Sequence, residues 1–217
     1  MAPAMDRSLF EELPPPQRLA LSYASSVARR PTLALLVLDA RLGAALRQRG
    51  EPVLAQMRLA WWRDMLRSPV SAWPVGEAVL GLLRTWREPD TLISLVDGWE
   101  ALLGEMLDEA AINGFASGRA QAFAQLAREL GCDPRPAESS ARLWALGDLA
   151  ANLSDPAERS AAIAAADLQF RCGLPRSLRP LSVLAGLAHR SLEQGGTPLL
   201  NGPGALLRAV RLGITGR

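Results

Sequence analysis

The sequence predicts an all-α protein. Leu and Ala number 39 and 36, against 18 Val, Ile and Thr together, so residues that suit helix interiors outnumber those that suit pleated strands by about four to one. Apolar residues recur at helical spacing, and Pro and Gly fall between the periodic segments as punctuation. With 217 residues, 49% of them hydrophobic and 21% charged, the chain can bury a substantial core and is expected to form one domain over 1–217, with 1–16 as a flexible lead-in. Disorder and collagen-like structure are excluded on composition.

The elements are placed by their start and stop signals. Pro14 to Pro16 introduce a helix over 17–29, and Pro31 opens a second that runs to about Arg49. Gly50, Glu51 and Pro52 then reverse the chain into a third helix ending near Arg67, which makes an antiparallel hairpin. Further helices are expected over 75–87, 90–111, 117–130, 138–153, 156–169, 176–193 and 203–211. Asp155-Pro156-Ala157-Glu158 has the acceptor, first-turn proline and acid of a helix start, so Asp155 is read as an N-cap.

Charge and cysteine content exclude several functions. All 24 basic residues are Arg, which rules out a Schiff-base lysine and a P-loop lysine. A net charge of +2 with dispersed basic residues gives no footprint for nucleic acid. Cys132, Cys172 and the single His189 form no zinc-binding spacing, and the cysteines read as free thiols of a reducing compartment. His189, near a helix end, is placed for a cation by the helix dipole and has no catalytic companion in sequence. Glu100, Glu105, Asp108 and Glu109 read as a solvated helix face. The start of the chain carries acids and a proline run where a signal peptide needs apolar residues. The longest apolar run, Leu33 to Leu38, is far short of the roughly 20 residues of a membrane span. The expectation is a soluble cytoplasmic protein, with room for peripheral contact at the inner membrane.

Two charged residues fall on apolar faces. At about 100° per residue, Leu35, Leu42 and Leu46 share a stripe, and Asp39 projects within about 40° of its centre. Leu54, Trp61 and Met65 make the stripe of the next helix and enclose Arg58, while Arg63 points the opposite way. The reversal at Gly50 brings both charges to similar depth, so Asp39 and Arg58 are predicted to meet. The pair would fix the hairpin register if buried, or face a ligand in a central cavity, or stay exposed. Trp61 is expected in the hairpin core, and Trp62 over a neighbouring helix or groove.

Leu21-Ser22-Tyr23-Ala24, Arg29-Arg30-Pro31 before an apolar helix, and Arg58-Leu59-Ala60-Trp61-Trp62-Arg63-Asp64 together resemble the squalene/phytoene synthase family. The likeness is closest to a bacterial branch that includes relatives of a mitochondrial respiratory complex I assembly factor. It covers about 15–110, and more loosely 138–193 with Leu174-Pro175-Arg176 and Arg179-Pro180-Leu181. The resemblance implies a single-domain helical bundle of the trans-isoprenyl diphosphate synthase, or terpenoid synthase, type. In active members two aspartate-rich helices face one another and hold magnesium ions against two prenyl diphosphates, because carboxylates at i and i+4 share one helix face. An apolar cavity shelters the prenyl chain and carbocation.

This chain departs from that pattern. Aligned at Arg30, the first aspartate cluster falls on Gly43, Ala44 and Arg47, none of which can ligate a metal. The second falls on Leu146 to Asp155, where Asp148 and Asp155 stand two turns apart and Asp155 is already the cap. Asp148, stacked at i+4 on Trp144, is the acid expected to face the cavity. Ser22, Tyr23 and Arg30 fall where the family places contacts to the diphosphate. The candidate ligand residues are thus Ser22, Tyr23, Arg30, Asp39, Arg58, Trp62 and Asp148, with no catalytic residue and no metal ligand. Three readings follow. The first is a non-catalytic or catalytically altered member acting as an assembly or interaction factor, for a respiratory complex for example, with a prenyl or lipid ligand. The second is a prenyltransferase with a reduced magnesium site, in which Arg30 and Arg58 replace part of the metal charge. The third is a helical interaction domain without ligand.

Overall fold

Leu- and Ala-rich segments fold into eleven α-helices, with no strand, among the residues that the computed structural model describes: 2–47, 52–104, 106–169 and 173–216. In chain order these are α1 (Ala2–Glu12), α2 (Pro15–Leu21), α3 (Ser26–Arg47), α4 (Pro52–Arg67), α5 (Ala78–Leu83), α6 (Ile93–Glu100), α7 (Glu109–Glu129), α8 (Pro134–Asn152), α9 (Pro156–Ala164), α10 (Arg179–Glu193) and α11 (Gly202–Thr215). The run Leu33 to Leu38 is buried on every side. A helix that is apolar all round belongs in the interior, and α3 accordingly packs against α1, α2, α4, α5, α6 and α7. A second layer, α7 against α8 and α8 against α10, carries the other half of the core. Buried apolar residues from Leu9 to Ala209 form one cluster. No helix is long and apolar enough to cross a membrane among the described residues.

Several expected boundaries move, for identifiable reasons. Residues 2–16 are not a loose lead-in: α1 lies on α3 and buries Leu9, and Leu13 just beyond the helix is buried as well. The helix expected over 17–29 breaks after Leu21, and α3 begins at Ser26 with Pro31 inside it. A proline so near a helix start forgoes a single hydrogen bond, and burial of the leucines that follow outweighs that loss. The expected 90–111 helix is interrupted by a 3₁₀ turn at Ala101–Leu103 and an extended Gly104. A new helix then starts at Asp108, whose side chain accepts from the Ala111 N–H at 2.7 Å. Asp108 is therefore a cap, Glu100 pairs with Arg63, and the break in the helix takes Glu100 off any face shared with Asp108 and Glu109. Asp155 caps α9 as expected, accepting from the N–H groups of Ala157 at 2.8 Å and Glu158 at 2.9 Å. The Gly50 reversal, Glu105 and Cys172 lie outside the described residues. Cys132 is a free thiol beside Ser177, their side chains 3.1 Å apart.

The expected start of α7 at 117 is two turns late because Gly114 and Gly118 weaken the local helix signal. Both glycines serve a close crossing. A Cβ on Gly118 would stand 2.3 Å from the Ser94 carbonyl oxygen and 3.0 Å from the Gly98 Cα, so α6 and α7 touch backbone to backbone there. Gly118→Ala is expected to cost about 1–3 kcal/mol through overpacking. Gly81, in α5 with open space around it, gives the control. Gly81→Ala should stabilise by up to about 1 kcal/mol in the same denaturant titration, since only helix propensity changes there.

Candidate functional site

Asp39 occupies a core-facing position of α3 and is 2% exposed. A carboxylate in that place must be paired, and two helices supply its partners. From α6, the Trp99 Nε1–H donates to Oδ1 at 2.9 Å. From α7, Arg119 donates from Nε to Oδ1 at 3.1 Å and from Nη2 to Oδ2 at 3.0 Å. The remaining arm of the same guanidinium, Nη1, donates to Asp148 Oδ2 on α8 at 2.9 Å. Arg119 thus bridges two carboxylates, one from α3 and one from α8, while itself only 1% exposed. Aromatic rings enclose it: its guanidinium carbon lies 4.2 Å from the Trp144 ring centroid, 4.7 Å from Phe115 and 5.3 Å from Trp99. Such stacking suits a weakly hydrated, delocalised cation and would not suit a lysine.

The electrostatics follow from burial and pairing. Burial pushes the Asp39 carboxyl above its ordinary range; Arg119 and the Trp99 N–H pull it back, and the Asp148 charge adds to the rise. Burial lowers the Arg119 guanidinium, but Asp39 and Asp148 together more than offset it and hold it above its ordinary value. The group is a fixed cation. On α3 one turn past Asp39, Gly43 makes room for Trp99: a Cβ there would meet ring atoms of Trp99 at 2.8 and 3.0 Å. Any side chain at 43 would push the indole off Asp39.

Asp39, Arg119, Asp148 and Trp99 line a pocket of about 520 Å³. Its other walls come from Pro14 to Gln17 at the start of α2, from Ala40 and Arg47 of α3, from Ala151 and Asn152 of α8, and from Pro198 to Leu200. That volume is within the usual range for a small-molecule site, about 300–1,000 Å³. Magnesium does not fit the acid pair, since the lone pairs that Asp39 and Asp148 turn toward each other already accept from Arg119. Among the described residues, no group of three or more His, Cys, Asp and Glu side chains is placed to hold a metal ion.

Of the seven candidate residues, only Asp39 and Asp148 meet here. Arg58 does not pair with Asp39: it is exposed on α4 and lines a separate surface pocket with Arg41, Ala44, Ala45, Trp61 and Trp62. The stripe Leu54, Arg58, Trp61 faces outward, and α4 buries Ala55, Leu59, Trp62 and Leu66 instead. The two tryptophans exchange their expected places, with Trp61 39% exposed and Trp62 7% exposed. Arg63 fixes this rotation of α4 by pairing with Asp97 at 2.7 Å and with Glu100 on α6. Ser22 is exposed, and its hydroxyl donates to the Arg18 carbonyl at 3.0 Å. Tyr23 packs on α11, its ring against Gly213, where a Cβ would come within 2.4 Å. Arg30 pairs with Asp6 at 3.2 Å near the surface. None of these three lines the pocket. His189 is buried on α10, donating from Nε2 to the Leu168 carbonyl at 3.1 Å with Glu193 3.1 Å from Nδ1, away from the pocket. No family model matches the chain, and comparison with curated proteins and with solved structures finds no similar protein.

Proposed function

We propose that the chain is a squalene/phytoene synthase-like protein without synthase activity, which works as an assembly or interaction factor and holds a prenyl or lipid ligand in the pocket beside Asp39, Arg119 and Asp148. The observation that carries this reading is the guanidinium bridge. Two helices, α3 and α8, present one carboxylate each to a pocket whose other walls are largely apolar, and a fixed arginine takes up lone pairs that metal-assisted ionisation of a diphosphate would require. Gly43 adds to it, because the position where the resemblance puts an aspartate is filled by the Trp99 ring. The interaction half of the reading is supported by apolar side chains left in solvent on two helices: Leu54, Met57 and Trp61 on α4, and Leu206, Leu207 and Ile214 on α11. The α11 sequence carries Arg208 and Arg211 and no acid, which suits peripheral contact with an anionic bilayer.

The test is direct. Purified protein incubated with farnesyl or geranylgeranyl diphosphate and magnesium should give no condensation product, and mass spectrometry of its organic extract should reveal a prenyl or lipid species. A clear head-to-head product overturns the non-catalytic reading, and an empty extract counts against the ligand. For the partner class, deletion of the gene should lower complex I content and leave carotenoids and squalene unchanged.

A further inference from the structure

The peripheral contact proposed above has a defined surface, built around α11. A helix on the outside of a bundle ordinarily turns its large aliphatic residues inward. α11 does the reverse. The face it packs on α10 and α2 is made of Ala205, Ala209 and Gly213, all buried, while Leu206, Leu207, Val210 and Ile214 stand 51%, 72%, 42% and 69% exposed. At about 100° per residue these four span about 100° of the outward surface on a helix about 21 Å long, and the exposed Arg211 follows on the flank beside Leu207. Charge is segregated along the chain although the arginines are spread over it. Residues 168–217 hold seven Arg and one acid, a net of +6, whereas 1–167 hold 17 Arg and 21 acids, a net of −4. The one acid, Glu193, lies 3.1 Å from His189 Nδ1. Arg190 and Arg179 flank the two ends of α11, beside Gly204 and Gly216. Both give their hydrogen bonds to neutral oxygens: Arg190 to Gln194 Oε1 at 2.8 Å and to the Asn201 carbonyl at 3.3 Å, Arg179 to the Leu212 carbonyl at 3.5 Å. None of these contacts cancels the positive charge.

We infer that α11 is a membrane-docking helix, which lies flat on an anionic bilayer with Leu206, Leu207, Val210 and Ile214 among the upper lipid chains and Arg211 at the level of the lipid phosphates. Aliphatic side chains with a basic margin and no acid make up an interfacial helix, and the excess positive charge of 168–217 draws this face to anionic head groups. A bilayer suits the face better than a protein groove does. The residues that dominate protein interfaces are Trp, Tyr and Arg, with Leu and Val under-represented, and the outward face of α11 is aliphatic throughout. Such a face selects by area and charge, which is what a fluid lipid surface offers. The inference rests on the peripheral contact of the proposed function and is independent of its pocket.

Co-sedimentation of the full chain with lipid vesicles tests this. Vesicles of about one-third phosphatidylglycerol in phosphatidylcholine should bind the chain at least about tenfold more tightly than pure phosphatidylcholine at about 0.1 M salt, and about 0.5 M salt should remove most of that difference. Leu207→Ser with Ile214→Ser should weaken binding to the anionic vesicles by at least about tenfold, and Arg211→Ala by about fivefold. Both variants should keep the wild-type melting temperature, because these side chains stand in solvent. Val75→Ser, which removes an aliphatic group 98% exposed outside α11, should bind as the wild type does. Equal affinity for the two kinds of vesicle, or full binding by the Leu207 and Ile214 variant, overturns the inference. A self-associated form in sedimentation velocity that the same two substitutions dissociate also overturns it, since a second copy would then cover the face. Failure to bind either vesicle overturns it as well and leaves the condensation and extract tests of the proposed function unaffected.

Discussion

Arg119→Ala is expected to destabilise the fold by about 3–5 kcal/mol, the range for removing one partner of a buried ion pair. The loss concentrates at Asp39, which keeps only the Trp99 N–H and stays fully buried, whereas Asp148 is 18% exposed and can turn to water and to Asn152. Two companion measurements separate charge from packing. Asp148→Asn should cost clearly less than Arg119→Ala. The double variant Asp39→Asn with Arg119→Leu should recover part of the loss, because it removes the stranded charge and keeps apolar volume among the rings. The pH dependence has a definite sign. A carboxyl whose folded pKa is raised keeps its proton to higher pH in the folded than in the unfolded chain, so its contribution to stability is lost as pH rises above the unfolded value of 3.8. Removing Arg119 takes away a lowering influence, so the deficit of the variant should be larger at pH 8 than at pH 5. Denaturant titrations at both values check this. A deficit under about 1 kcal/mol at pH 8 would contradict a buried, charged Asp39.

Asp39 was legible in the sequence because an acid on an apolar stripe has no inexpensive place in a core, and its need for an arginine followed from the same argument. The identity of that arginine did not follow. Arg58 was the local choice, since a hairpin brings near neighbours together, but α4 has two apolar faces of similar width. Periodicity alone cannot say whether Leu54 and Trp61 or Leu59 and Trp62 turn inward; the anchor of Arg63 on α6 decides it. The true partner lies 80 residues away in sequence. Its signal was of the same kind as that of Asp39, a charge within the stripe Ile112, Phe115, Ala122, Leu126. Starting that helix at 117 put Arg119 in a first turn, where a charge raises no question. Gly114 and Gly118 caused the misplacement, because a glycine that permits a backbone crossing is indistinguishable in sequence from one that ends a helix. Helix starts with their own chemistry, Asp155 above all, were readable to the residue.

Trp144→Ala is expected to cost about 3–5 kcal/mol, comparable with loss of the bridge but for another reason. The ring is fully buried, meets Phe123 edge to face at 5.4 Å and covers one side of the Arg119 guanidinium at 4.2 Å. Truncation opens a cavity on a charged group, and water admitted there would hydrate Arg119 and loosen its hold on Asp39. Trp144→Phe isolates the ring from its polar edge. The indole Nε1–H is buried without an acceptor, so replacing it removes an unsatisfied donor while keeping an aromatic face over the arginine. That variant should lose about 1 kcal/mol or less, even though it is smaller. A cost for Trp144→Phe close to that for Trp144→Ala would mean that the indole edge has a partner and that the enclosure of Arg119 is not chiefly a matter of ring packing. Trp61→Ala, on the outward face of α4, should cost clearly less than Trp144→Ala in the same titration, because its ring is partly in solvent and meets the core through an edge-to-face contact with Trp62 at 4.9 Å. The contrast matters for function as well as stability. A tryptophan that holds Arg119 in place keeps the Asp39 and Asp148 carboxylates locked at the pocket floor, whereas one that stands partly in solvent offers its exposed ring to a partner.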